Sequence, residues 1–165
     1  MKSINSINQL NKSDFLSIFG NIFEKTEWIA EKVFDLKPFK SNDDLFSKMI
    51  NKYENCDKEQ ILIILNSHPE LAVEKKLTKD SSNEQSGASL NECTLVEFEE
   101  FKKLNIEYRA KFGFPFIIAV KGKNKNNILN DFRKRIQNDL NSEFEEAKKQ
   151  VMKIASFRFN DITSI

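Results

Sequence analysis

Apolar residues recur at helical spacing along most of this chain. Phe15, Ile18, Phe19, Ile22 and Phe23 share one face of a segment that Ser13 can cap. In TEWIAEKVF, Trp28, Ile29 and Val33 form an apolar stripe that stops before Pro38. Ser41 with Asp44, and Asp57 with Gln60, have the capping-box spacing at the starts of two further helices. The second of these holds ILIIL at 61–65, which is apolar on every side and predicts a central buried helix. Pro69 disfavours helical geometry at the residue before it and suits the first turn of a following helix. His68 is therefore expected at a junction between two helices.

Residues 78–92, TKDSSNEQSGASLNE, are the most polar stretch and the weakest helix start. Helix resumes through TLVEFEEFKKLNIEYRAKF, with Gly113 as the C-terminal cap and Pro115 two residues later. FPFIIAV at 114–120 has β propensity but no partner strand, so a short buried extended segment is expected there. A loop over KGKNKNN leads to a helix around ILNDFRKRIQN. A last helix runs from Ser142, where Glu145 completes another capping-box pattern. The pattern predicts a mostly helical, single-domain chain of several packed helices over residues 1–165, with one extended segment near 114–120.

Composition agrees: four glycines and three prolines in 165 residues are few for a sheet-rich fold. The formal net charge is +1 with both signs interleaved, which argues against a nucleic-acid partner. No apolar run approaches the length of a membrane span. The first residues, MKSINSINQLNK, lack the apolar core of a secretory signal, and the expected location is the cytoplasm. Cys56 and Cys93 stand alone beside a single histidine, which excludes a Cys/His zinc site and fits reduced, half-buried thiols. No metal is expected.

Three places could carry chemistry. His68 is either a structural histidine bonding a carbonyl at a helix junction or a general acid/base, since imidazole titrates near neutrality. Ser81-Ser82-Asn83-Glu84-Gln85 is either another capping box or a carboxylate and an amide side by side, able to bind a urea-like group. Arg158 follows Ile154 by four residues and Val151 by seven, on the apolar face of the last helix with Phe144, Ala147 and Ala155. A charge on that stripe needs a partner: a buried acid, water reached by snorkelling, or the anionic or carbonyl edge of a ligand. An imidazole, a carboxylate, an amide and a guanidinium suit proton transfer on a small, polar, anionic substrate.

In order along the chain, WIAEKVFDLKPF at 28–39, HPELA at 68–72, S-x-x-EQ at 81–85, LNIEYRAKFGFPFIIAV at 104–120 and KIASFRFNDI at 153–162 resemble one family. It is the 2-oxo-4-hydroxy-4-carboxy-5-ureidoimidazoline (OHCU) decarboxylases of urate breakdown. The resemblance implies an all-α enzyme without a cofactor, a homodimer, and a small-molecule ureide substrate converted to (S)-allantoin. It implies His68 as the catalytic imidazole and Glu84 as its carboxylate partner. Pro69, Ser81, Gln85 and Arg158 become substrate ligands, together with backbone groups near Phe116, Ile117 and Ile118. One departure follows the EQ pair: SGASL puts Ser89 where the family usually has glycine, which is expected to alter that turn. Two other readings stay open: a non-catalytic helical binding domain that keeps only the core pattern, and the same reaction type on a related ureide.

Overall fold

The computed structural model describes residues 3–73 and 77–163. It contains α1 (Ile4–Asn8), α2 (Lys12–Phe19), α3 (Trp28–Phe34), α4 (Asn42–Glu54), α5 (Lys58–Ser67), α6 (Lys79–Gly87), a 3-10 turn at Leu90–Glu92, α7 (Leu95–Phe112), α8 (Lys125–Arg135) and α9 (Leu140–Thr163). No strand occurs among the described residues. None of their helices is long and apolar enough to cross a membrane. The chain divides into two compact units: residues 1–67 with 152–165, and residues 68–151.

In the first unit, Asn11 rather than Ser13 caps α2, its side chain accepting from the Asp14 N–H. Asn11 stands directly before the first helical residue, whereas Ser13 already lies within the first turn. Phe15 is fully buried, with its ring 4.9 Å from Phe19, 5.5 Å from Phe34 and 6.0 Å from Phe39. Phe23 stacks on Tyr53 at 5.0 Å, and Phe159 of α9 lies 4.8 Å from Phe46. Each buried aromatic side chain contributes on the order of 1.5–3 kcal/mol by leaving water. Helix α5 starts with the reciprocal pair the sequence predicts: Gln60 N–H donates to Asp57, and Asp57 N–H donates to Gln60. Its apolar run is not buried all round. Ile61, Ile64 and Leu65 face inward, while Ile63 stays 59% exposed.

The second unit is built around α7, α8 and the first half of α9. A true capping box opens α7 at Thr94 and Glu97, and Gly113 closes it at φ 79°. Phe116 and Phe132 stack face to face at 3.9 Å, with the Tyr108 ring edge-on to both. The Tyr108 hydroxyl donates to the fully buried Glu143, and burial followed by that bond pushes the phenol far above its ordinary pKa. Arg135 donates to the same carboxylate, and Asn138 donates to its other oxygen at 2.8 Å. A carboxylate this deep persists because every bond it makes is to a donor, one of them cationic. Helix α9 begins at Leu140, two residues before the expected Ser142. Asp139 supplies the cap by accepting from the N–H groups of Asn141 and Ser142. Glu145 pairs with Lys148 instead of closing a box.

Candidate active site

Helix α5 ends at Ser67, and Pro69 explains the stop. The chain does not re-enter a helix at Pro69, as expected, but turns through an irregular stretch. His68 sits at the head of this stretch and is 6% exposed. Backbone bonds hold the stretch in place. Gln85 Nε2 donates to the Glu70 carbonyl at 3.1 Å, and Gln85 Oε1 accepts from the Ala72 N–H at 3.1 Å. Asn105 Nδ2 donates to the Leu71 carbonyl at 3.0 Å. Arg109 Nε reaches the Glu70 carboxylate at 2.9 Å. Ala72 takes a left-handed φ of 50°, which an L-residue adopts only against some strain. The Gln85 amide therefore bridges Glu70 and Ala72 across a tight reversal that follows the histidine.

Gln85 belongs to α6, whose cap is Thr78: its hydroxyl accepts from the Ser81 N–H. Ser81 and Glu84 are thus inside the helix and form no capping box. At spacings of three and four, Ser81, Glu84 and Gln85 share one helical face. Ser81 and Gln85 are buried and Glu84 is half-buried. The Glu70–Gln85 bond ties this face to the stretch that follows His68 and Pro69. Beyond α6, Ser89 adopts φ 57° and ψ 26°, the left-handed geometry a glycine would supply. Ser89 holds this geometry at the cost of strain in a serine. Gln85, Ala72, Val73, Ser86, Cys93 and Phe98 belong to the lining of an open cavity of about 810 Å³ in the same unit.

Phe116, Ile117 and Ile118 are buried in a run without helix, within the segment expected to be extended. Side chains pin its backbone: Arg135 Nη1 donates to the Ile117 carbonyl at 2.7 Å, and the Ala119 N–H donates to Gln150 Oε1 at 2.9 Å.

Arg158 lies in the other unit. It is 6% exposed, and Nη2 meets Glu24 Oε2 at 2.8 Å while Nη1 donates to the Asn21 carbonyl at 2.9 Å. Glu24 is fully buried, so the buried-acid reading of Arg158 is realised. Sequence reasoning passed over Glu24, Asn105, Arg135, Glu143 and Gln150. For Glu143 and Gln150 a signal existed: they are polar residues on the inward side of α9, the same logic that singled out Arg158. No cluster of three or more His, Cys, Asp or Glu side chains fit to hold a metal occurs among the described residues.

The family model for OHCU decarboxylase matches residues 8–160. The chain is 36% identical, over 98% of its length, to the uric acid degradation bifunctional protein of Bacillus sp. (strain TB-90), of which it covers 32%. It therefore spans about a third of that longer protein. It is 33% identical over 98% of its length to the 2-oxo-4-hydroxy-4-carboxy-5-ureidoimidazoline decarboxylase of Halalkalicoccus jeotgali, covering 92% of it. A crystal structure of (S)-allantoin synthase superposes with a TM-score of 0.78 at 27% identity, covering 97% of this chain and 54% of that one. With the match running through HPELA, the EQ pair and FGFPFI, this chain belongs to the OHCU decarboxylase family.

Proposed function

We propose that this chain decarboxylates 2-oxo-4-hydroxy-4-carboxy-5-ureidoimidazoline to (S)-allantoin, acting as one functional domain. The observation that carries the reading is the Gln85 bridge. In a chain of this family, it ties the Glu70–Ala72 stretch, just after the buried His68, to the helical face that holds Ser81 and Glu84.

The substrate carries a carboxylate and a hydroxyl on one ring carbon, next to a C=N carbon that bears the ureido group. Loss of CO₂ leaves an electron pair on the first carbon, and the adjacent C=N accepts it. The chemistry needs orientation of the carboxylate out of the ring plane, exclusion of water and delivery of a proton to one face of the neighbouring carbon. His68 exchanges the proton of the hydroxyl, and Glu84 orients or pairs with the imidazole. Ser81, Pro69 and the Phe116–Ile118 backbone hold ring or ureido groups. Gln85 spends its oxygen and one N–H on the loop, which leaves its second N–H for the ligand. Arg158, on the resemblance alone, binds a carbonyl or anionic edge. A tight grip on the departing carboxylate would stabilise the ground state more than the transition state, so Arg158 serves another edge. The active species is a homodimer in the cytoplasm.

The test generates the substrate in place from urate with urate oxidase and hydroxyisourate hydrolase, and follows circular dichroism of the product. Rapid appearance of optically active allantoin, lost in a folded His68→Ala protein, supports the assignment. Racemic product at the spontaneous rate, or full activity in His68→Ala, overturns it.

A further inference from the structure

Neither the N–H nor the C=O of Ile118 has a hydrogen-bond partner among the described residues, although Ile118 is only 5% exposed. Buried backbone groups are nearly always paired, with protein, water or ligand, so two open groups on one residue offer a place for a ligand's polar edge. The two peptides flanking Ile118 are both pinned from their far ends. Arg135 holds the Ile117 carbonyl, and Gln150 holds the Ala119 N–H. A trans peptide is planar, with its N–H and C=O pointing in opposite directions. Fixing the Ile117 carbonyl therefore aims the Ile118 N–H away from Arg135. Fixing the Ala119 N–H likewise aims the Ile118 C=O away from Gln150. The pins are themselves held: Arg135 by Glu143 and by the Phe116 ring at 4.5 Å, and Gln150 by its own N–H donated to Glu146 at 2.7 Å.

We propose that Arg135 and Gln150 are positioning residues that pre-aim the Ile118 N–H and C=O as a donor–acceptor pair for an amide or urea edge of the substrate. This rests on the decarboxylase reading above, whose substrate offers such an edge in its ureido arm. Neither residue touches the substrate. Because the ureido edge lies outside the ring C=N that takes up the electron pair, it keeps its charge through CO₂ loss, and its bonds stabilise ground and transition states alike. Their loss raises KM and leaves kcat nearly unchanged.

The test uses the full chain and the substrate made in place from urate. Gln150→Met keeps the volume and removes the acceptor for Ala119. We expect KM to rise about tenfold, with kcat within twofold of wild type, as the aim of one peptide is lost. The exchange Glu146→Gln with Gln150→Glu rebuilds the same two bonds with the charge moved four residues, and returns KM to within about threefold. A merely structural Gln150 would instead lower melting temperature and active fraction at constant KM, and that result overturns the proposal. Should Gln150→Met not fold, Arg135→Lys decides at the other peptide. The ammonium still faces Glu143 but no longer forks to the Ile117 carbonyl, so a raised KM supports the proposal and an unchanged one overturns it. Wild type with no turnover above the spontaneous rate overturns the decarboxylase reading and this proposal with it, whereas an active wild type with unshifted variants overturns only the positioning role.

Discussion

Arg158→Ala would strip the fully buried Glu24 carboxylate of its cation. Removing one member of a buried ion pair costs about 3–5 kcal/mol, because the charge left behind is neither solvated nor compensated. The pair qualifies on both counts: Arg158 is 6% exposed, Glu24 is 0% exposed, and the separation is 2.8 Å. For a chain of this length each kcal/mol lowers the melting temperature by roughly 2–4 °C. The expected drop is therefore roughly 6–20 °C, read by far-ultraviolet circular dichroism during heating and checked by urea titration. Replacing both partners by apolar residues of similar volume, Glu24→Leu with Arg158→Met, removes the orphaned charge and should recover most of the loss. The double variant also separates packing from chemistry. If Arg158 handles substrate, turnover should stay depressed by about a hundredfold after stability returns. A single Arg158→Ala variant that melts within 2–3 °C of wild type, on the same scale of a few degrees per kcal/mol, would refute the reasoning about this pair.

Glu84→Gln should leave the melting temperature within about 2 °C, because Thr78 and not Ser81-x-x-Glu84 caps α6. Its turnover should fall at least tenfold, and normal turnover would remove Glu84 from the mechanism. Ser89→Gly should stabilise by about 0.5–1 kcal/mol, as relief of the left-handed strain outweighs the flexibility a glycine adds. Ala72→Gly should come out near neutral, because it also deletes a buried methyl group worth about 0.8 kcal/mol; chemical denaturation of both variants checks the contrast. Acid should destabilise the protein through its paired carboxylates. Asp44, Glu97, Glu100 and Asp139 are held below their ordinary values, first by hydrogen bonds from Lys48, Lys125, Arg133 and Ser142 respectively. The folded state therefore binds fewer protons than the unfolded one, and their contribution is present above about pH 5 and lost as pH falls through the depressed values. Melting temperature should hold from pH 7 to about 5 and then fall, and a flat profile to about pH 3 would contradict this.

Much of the helix set was legible because the signals were local. Asp57 with Gln60, Gly113, and Pro69 after Ser67 each mark a boundary through bonds made within a few residues. Where several polar residues compete for one cap, spacing alone does not choose: Asn11 won over Ser13, and Asp139 over Ser142. Helix α6 was hardest to see, since KDSSNEQSG has no apolar stripe and its inward residues, Ser81 and Gln85, are polar. A face that binds backbone rather than oil leaves no hydrophobic period to find. His68, Glu84 and Gln85 stood out by residue type, but the bridge from Gln85 to Glu70 and Ala72 spans 13 to 15 positions and has no sequence signature. Glu24 and Arg158 are separated by most of the chain, and only the fold pairs them.

The order of the two units along the chain bears on how the protein is made. Residues 68–151 form one uninterrupted stretch, whereas the other unit needs residues 1–67 and then the second half of α9. During synthesis the early helices must wait through the translation of more than eighty residues before Phe159 arrives beside Phe19 and Phe46. The later-made unit is thus the first able to close, the reverse of the usual amino-terminal-first order. Over that interval Phe19 and Phe46 lack the Phe159 ring they pack against in the finished fold.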